Sequence, residues 1–278
     1  MTAKSSFRLA SCALILSTII LSGFSEIPVA SAAPPTVGKQ TNPWDKIVFL
    51  ANEAWQKISG KRQAGVRQTR IAAGRGKKSD LVALVPVVKG DFVGVAITDQ
   101  PTFWFYISPT ASELNLKSMK FVLRNQQNEE LWSTKLSMNN PKIDSGLMPI
   151  TYKGDQLKTN GIYFWELSYQ QTDPQRGVSE HKLLGNLQKE TFPSLSTNQK
   201  TLDRISTYAR NGIWHELITE LIIKKQQNPH DQQLANAFRT LIFESPDVKY
   251  LEIDEKKDDI ELMERIITAK VLSLRWSN

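Results

Sequence analysis

The sequence is short of the residues that most often carry chemistry. It has one cysteine, Cys12, and three histidines, His181, His215 and His230, in 278 residues. A lone cysteine excludes an internal disulfide and any thiolate-rich metal site. Three scattered histidines leave little material for metal ligation or acid–base work, and no catalytic, cofactor or metal residue is assigned. Long apolar runs are also scarce, Leu9–Phe24 being the one stretch of note. Nor is the composition extreme: 40% hydrophobic and 23% charged residues exclude wholesale disorder and collagen-like repeats.

What is there begins with an address. Lys4 and Arg8 precede the apolar run, and Val29-Ala30-Ser31-Ala32-Ala33 follows it. A basic start, a short apolar middle and an Ala-x-Ala exit spell a secretory signal peptide over residues 1–32, cleaved after Ala32. The run, diluted by Ser and Gly, is shorter than the ~20 residues needed to cross the hydrocarbon core. Leu9-Ala10-Ser11-Cys12 fits a lipoprotein box only superficially, because the apolar region lies after the cysteine instead of before it. The expectation is an exported protein, periplasmic or extracellular, with no transmembrane helix once the signal is removed.

Charge is unevenly placed. The net charge is +7, yet between Lys39 and Asp80 ten Lys/Arg face three Asp/Glu, while residues 81–278 hold 23 basic and 24 acidic side chains. A basic body would suggest a nucleic-acid surface; a basic arm suggests a tether. No nucleic-acid partner is expected. Within the segment 33–80, Pro34–Pro43 reads as a linker. Asn42-Pro43 reads as the start of a short amphipathic helix carrying Trp44, Ile47, Val48, Ala51, Ala54, Trp55 and Ile58, with Gly60 as its stop. Residues 61–80, with Arg75, Lys77 and Lys78 among Gly and Ala, read as a disordered basic arm able to touch an anionic surface. Gly74-Arg75-Gly76-Lys77-Lys78-Ser79 is no phosphate loop, since Ile71 and Lys78 occupy places that need Gly and Ser or Thr.

From 81 to 192 the pattern is short strands separated by turns. The expected strands are Leu81–Val88, Phe92–Thr98, Thr102–Ser108, Ser118–Asn125, Glu130–Ser137, Leu147–Tyr152, Gly161–Gln170 and His181–Thr191. Trp132, Thr134 and Leu136 alternate with Ser133 and Lys135, the period-two signature of a half-buried strand. Eight short strands without an intervening helical pattern favour an antiparallel β-sandwich, and Gly161-x-Tyr163 resembles an immunoglobulin-like tyrosine corner. Past Pro193 the period becomes helical. Ser196-x-x-Gln199 fits a capping box. Leu202, Ile205, Tyr208 and Ala209 share one face, Gly212 stops that helix, and Ile213, Trp214, Leu217, Ile218 and Leu221 line the next. A third helix restarts at Asn228-Pro229. Tyr208, Gly212, Trp214, Leu217, Leu221 and Pro229 have the spacing of one tetratricopeptide helix pair. The expected fold is thus α+β: an antiparallel immunoglobulin-like β-sandwich at 81–192, then a small tetratricopeptide-like helical hairpin with a capping helix at 193–245. An acidic tail with a terminal helix at 246–278 completes it.

These segments together resemble a known family. Gln100-Pro101-Thr102-Phe103-Trp104-Phe105-Tyr106, Phe121-Val122-Leu123, Gly161-Ile162-Tyr163-Phe164-Trp165 and Tyr208-Ala209-Arg210-Asn211-Gly212-Ile213-Trp214 follow a signal peptide, a Gly-Arg-Gly arm and Leu81-Val82-Ala83-Leu84-Val85-Pro86. That order is similar to the cyanobacterial domain of unknown function 928 family over roughly residues 74–245. The resemblance implies an exported envelope protein and supplies no activity. Relatives often carry one cysteine after the Gly-Arg-Gly run and another after the strand matching 161–170; neither exists here.

Catalytic motifs fail on inspection. His215-Glu216-x-x-Thr219 begins like a zinc-protease helix, but the second ligand position holds Thr219. No Ser lies in a Gly-x-Ser-x-Gly elbow. Two functional classes remain. One is a non-enzymatic envelope interaction or scaffold module that docks an envelope protein through its helical hairpin. The other is a glycan-binding module using sandwich aromatics, with Trp132 as the best candidate. Trp214 follows the helix-stopping Gly212, so its ring either packs in the core or opens a docking groove. The candidate interaction residues are therefore Trp132, Trp214, Arg75, Lys77 and Lys78.

Overall fold

A computed structural model of the chain describes residues 42–61, 81–88, 91–109, 116–137, 144–173, 177–192, 199–243 and 257–277. The signal segment, the arm residues Arg75, Lys77 and Lys78, and residues 244–256 of the acidic stretch lie outside them. The first helix, α1 (Pro43–Lys61), is capped by Asn42, whose Oδ1 accepts the Trp44 amide at 3.0 Å. Pro43 takes the first helical position, where a missing N–H is no loss. Trp44, Ile47, Ala51, Ala54 and Trp55 fall on one face and are all buried. The helix runs one residue past Gly60, the expected stop.

Nine strands follow among the described residues: β1 (Leu81–Ala83), β2 (Val87–Val88), β3 (Asp91–Ala96), β4 (Thr102–Ile107), β5 (Leu116–Arg124), β6 (Glu130–Ser137), β7 (Gly146–Thr151), β8 (Ile162–Asp173) and β9 (Gly177–Lys189). The expected first strand, Leu81–Val88, is in fact two. Pro86 cannot donate to a ladder, and there the chain leaves one sheet for the other. β1 pairs with β4, and β2 pairs with β3.

The small sheet has the order β1-β4-β7 and is antiparallel throughout; the large one has the order β2-β3-β9-β8-β5-β6. The expectation of a purely antiparallel body fails at one place, because β3 and β9 run parallel, with Val93 opposite Asn186 and Ala96 opposite Lys189. Local alternation reads which face of a strand is buried but is blind to the direction of a partner this distant in sequence. The sheets pack through aromatic rings. Phe103 of β4 lies 4.8 Å from Phe121 of β5, and Phe105 meets Trp165 of β8 edge-on at 5.7 Å. Trp104, on the opposite face of β4, donates its indole N–H to Thr219 Oγ1 at 2.9 Å.

Among the described residues the helices α2 (Thr201–Arg210), α3 (Trp214–Gln227), α4 (Gln232–Phe243) and α5 (Lys257–Thr268) follow. α2 starts after Lys200 with no side-chain cap; Ser196 of the expected capping box lies outside the described residues. Asp231, not Asn228, caps α4, its Oδ1 accepting the Leu234 amide at 3.0 Å. α1 packs against both α2 and α4 and so belongs to the helical layer. After α5 the chain bridges back to β7 through Val271 and to β6 through Ser277.

Candidate functional site

Two places collect polar side chains: the start of α3, and the loops at one end of the sheets. At the first, Gly212 adopts a left-handed φ of 65°. A Cβ there would sit 2.4 Å from Ile58 of α1, so both the turn and the packing call for glycine. The turn drives Trp214 inward. Its ring is 1% exposed, meets Trp55 edge-on at 5.9 Å, and donates its N–H to the Leu84 carbonyl at 2.8 Å. As a docking residue Trp214 is thereby corrected: α1 supplies the neighbour that a single helical hairpin lacks, and the ring is spent on it.

His215, 2% exposed, has Nδ1 3.0 Å from the Thr102 carbonyl. A carbonyl only accepts, so Nδ1 carries the proton and Nε2 is the bare nitrogen. Nε2 is buried without a hydrogen-bond partner. A Cβ on Gly94 would lie 2.2 Å from it, so only a glycine fits beneath the ring. Burial holds the imidazole below its ordinary pKa of 6.5, with Glu216 and the Thr102 bond opposing that shift.

Glu216, 8% exposed, accepts three hydrogen bonds at Oε1: from the amides of Ile97 at 3.0 Å and Thr98 at 2.9 Å, and from Thr98 Oγ1 at 2.8 Å. From the other side, Lys189 donates to the Ile97 carbonyl at 2.6 Å and pairs with Asp99 at 3.3 Å. The 97–102 turn is thus clamped between α3 and β9. Thr219, which breaks the zinc-helix pattern, donates to the His215 carbonyl at 2.7 Å while accepting from Trp104. Among the described residues no group of three or more His, Cys, Asp or Glu side chains is placed to hold a metal ion. The arrangement fastens elements together.

The second place is an open cleft of about 200 Å³ where the β5–β6 turn meets the β7–β8 loop. Both walls are stiff. In the turn, Asn128 takes a left-handed φ of 68° and Asn125 Oδ1 accepts the Glu129 amide at 2.9 Å. In the loop, Tyr152 donates to the Asp155 carbonyl at 2.8 Å and Tyr163 to the Lys158 carbonyl at 3.2 Å. Burial raises the pKa of both phenols above 10.0, which keeps them protonated as donors. Gly161 is required by close approach, since a Cβ there would lie 2.7 Å from the Tyr163 hydroxyl. Exposed on this frame are the amides of Gln126, Gln127 and Gln156, the charged pair Asp155 and Lys158, and Leu131, 40% exposed.

Trp132 lies behind the cleft and not on it. It is half-buried, with its ring edge-on to Tyr152 at 5.4 Å and tilted on Phe121 at 6.0 Å. This corrects its assignment as a glycan platform: with Thr134 and Leu136 it occupies the inward phase of β6. None of the seven tryptophans is exposed. Arg75, Lys77 and Lys78 lie outside the described residues. The cleft escaped sequence reading because its walls come from two turns far apart in the chain. The local signal was the amide run Asn125-Gln126-Gln127-Asn128 between two alternating strands.

Among the described residues no helix is long and apolar enough to cross a membrane. No curated protein matches the chain. Among solved structures, the crystal structure of CopC from Methylosinus trichosporium OB3b is similar at 9% identity, covering 41% of this chain and 98% of that one with a TM-score of 0.22. The family model Domain of Unknown Function (DUF928) matches residues 62–256, leaving α1 and α5 outside the matched span. With well over half of its length inside that match, the chain belongs to the DUF928 family.

Proposed function

We propose that the protein is an exported cell-envelope module that recognises a partner and carries out no chemistry of its own. The observation that carries this reading is the burial of His215 and Glu216, at 2% and 8% exposed. The histidine is closed over by Gly94 and Phe103, and the carboxylate is saturated at one oxygen by the 97–98 turn. A general acid or base must come within hydrogen-bond reach of a substrate, and neither group has solvent beside it. Export rests on the signal-like residues 1–32. The basic run Arg75, Lys77 and Lys78 acts as a tether toward an anionic surface. The same reading takes the body as immunoglobulin-like, supported by the Tyr163 hydroxyl bonding back to Lys158, and α2–α3 as a tetratricopeptide-like hairpin.

Fractionation of source cells followed by N-terminal sequencing tests the reading. The expected result is a mature chain beginning at or near Ala33 in the envelope fraction, which rebinds isolated envelope after purification. A cytosolic chain that retains Met1, or a mature chain with no affinity for envelope, contradicts it.

A further inference from the structure

The cleft between the β5–β6 turn and the β7–β8 loop has walls held by hydrogen bonds of their own, and its chemistry restricts what it can hold. Its volume of about 200 Å³ is below the roughly 300–1,000 Å³ of sites that enclose a drug-sized ligand, so it takes a small unit or the end of a longer chain. Charge on its walls cancels, with Asp155 against Lys158. An anionic ligand finds no basic cluster there, and a cationic one no acidic cluster.

What the cleft does offer is amides. Gln126, Gln127 and Gln156 are exposed on its walls, and their side chains make no hydrogen bond among the described residues. Each carries a carbonyl acceptor beside an NH₂ donor. That side-by-side pair matches a pair of neighbouring hydroxyls, which also donate and accept. Leu131 and Ile162 add a small apolar patch for the C–H face of a ring. The walls are held in advance by the Tyr152 and Tyr163 hydroxyl bonds and by the Asn125–Glu129 turn, so little ordering of the loops is lost on binding. A peptide adding to a sheet would pair along the edge strand β6, whereas β6 gives this cleft only Leu131 and most of its lining comes from the two turns.

From these observations we infer that the cleft binds the terminal unit of a neutral, hydroxyl-rich saccharide through Gln126, Gln127 and Gln156. This rests on the recognition-module reading and names its ligand class.

The test is isothermal titration of the mature chain, from Ala33 to Asn278, with chitotetraose, cellotetraose and mannotetraose, and with a hexaserine peptide as a hydroxyl-bearing control. At least one tetrasaccharide is expected to bind saturably, and the Q126A/Q127A/Q156A variant to bind it at least tenfold more weakly with an unchanged melting temperature. The inference is overturned if none of the three sugars binds, if the triple variant binds as well as the wild type, or if hexaserine binds in their place. Envelope rebinding by the same two proteins separates the levels. Sugar binding absent while the wild type still sediments with envelope removes the ligand class alone, and loss of both removes the module reading with it.

Discussion

His215 is a buried imidazole whose protonation has a stability consequence of known sign. Its pKa in the folded chain is depressed below 6.5, chiefly by burial. The unfolded chain therefore takes up a proton here before the folded one does, and stability falls as the pH drops below about 6.5, by up to ~1.4 kcal/mol per pH unit. The melting temperature should decline between neutral pH and mild acid. His215→Asn, whose amide can still donate to the Thr102 carbonyl, should flatten that decline; an equal slope in the variant would acquit His215. Gly94 tests the same contact from below. Gly94→Ala should destabilise by about 1–3 kcal/mol through overpacking. Added His215→Ala should recover part of the loss, a non-additivity readable by denaturant titration.

Several elements take their stability from neighbours that local pattern does not reveal. α1 reads from sequence as a helix in a basic arm; in the fold its Trp55 covers Trp214 and its Ile58 crosses over Gly212. Trp55→Ala should therefore cost about 3–5 kcal/mol through lost burial and the cavity left behind, measured by thermal or denaturant melting, although residue 55 lies outside the family match. The C-terminal segment works similarly. Lys270 O and the Leu272 amide bond Leu147 of β7, each at 2.8 Å, while Ser277 exchanges two bonds with Lys135 of β6, at 2.7 and 2.8 Å. β7 and β6 are edge strands of the two sheets, and exposed edges invite pairing with other chains. Truncation after Thr268 should lower the melting temperature and shift the protein toward oligomers in light scattering; a monomer of unchanged stability would show that the strap is dispensable.

At the scale of the molecule, much of the fold was legible because period alone separates strand from helix. The inward phase of Trp132, Thr134 and Leu136, the stop at Gly212 and the cap at Asn42 are all written in a few consecutive residues. The parallel pairing of β3 with β9, the break at Pro86 and the docking of α1 on α2 and α4 are not, since each depends on partners brought together only by the finished fold. The candidate site divides the same way. His215 and Glu216 stand out in the chain and turn out to be fasteners, whereas the cleft draws on Gln126, Gln127 and Gln156 across two distant turns. On the proposed function, labour is divided between polar groups inside that hold the fold and amides outside that bind. The deciding measurement is co-sedimentation of purified chains spanning residues 33–278 with isolated envelope, below the melting point of every variant. At a salt concentration that screens the basic arm, His215→Asn combined with Glu216→Gln should sediment like the wild type while Q126A/Q127A/Q156A stays in solution; the opposite pattern would refute this division.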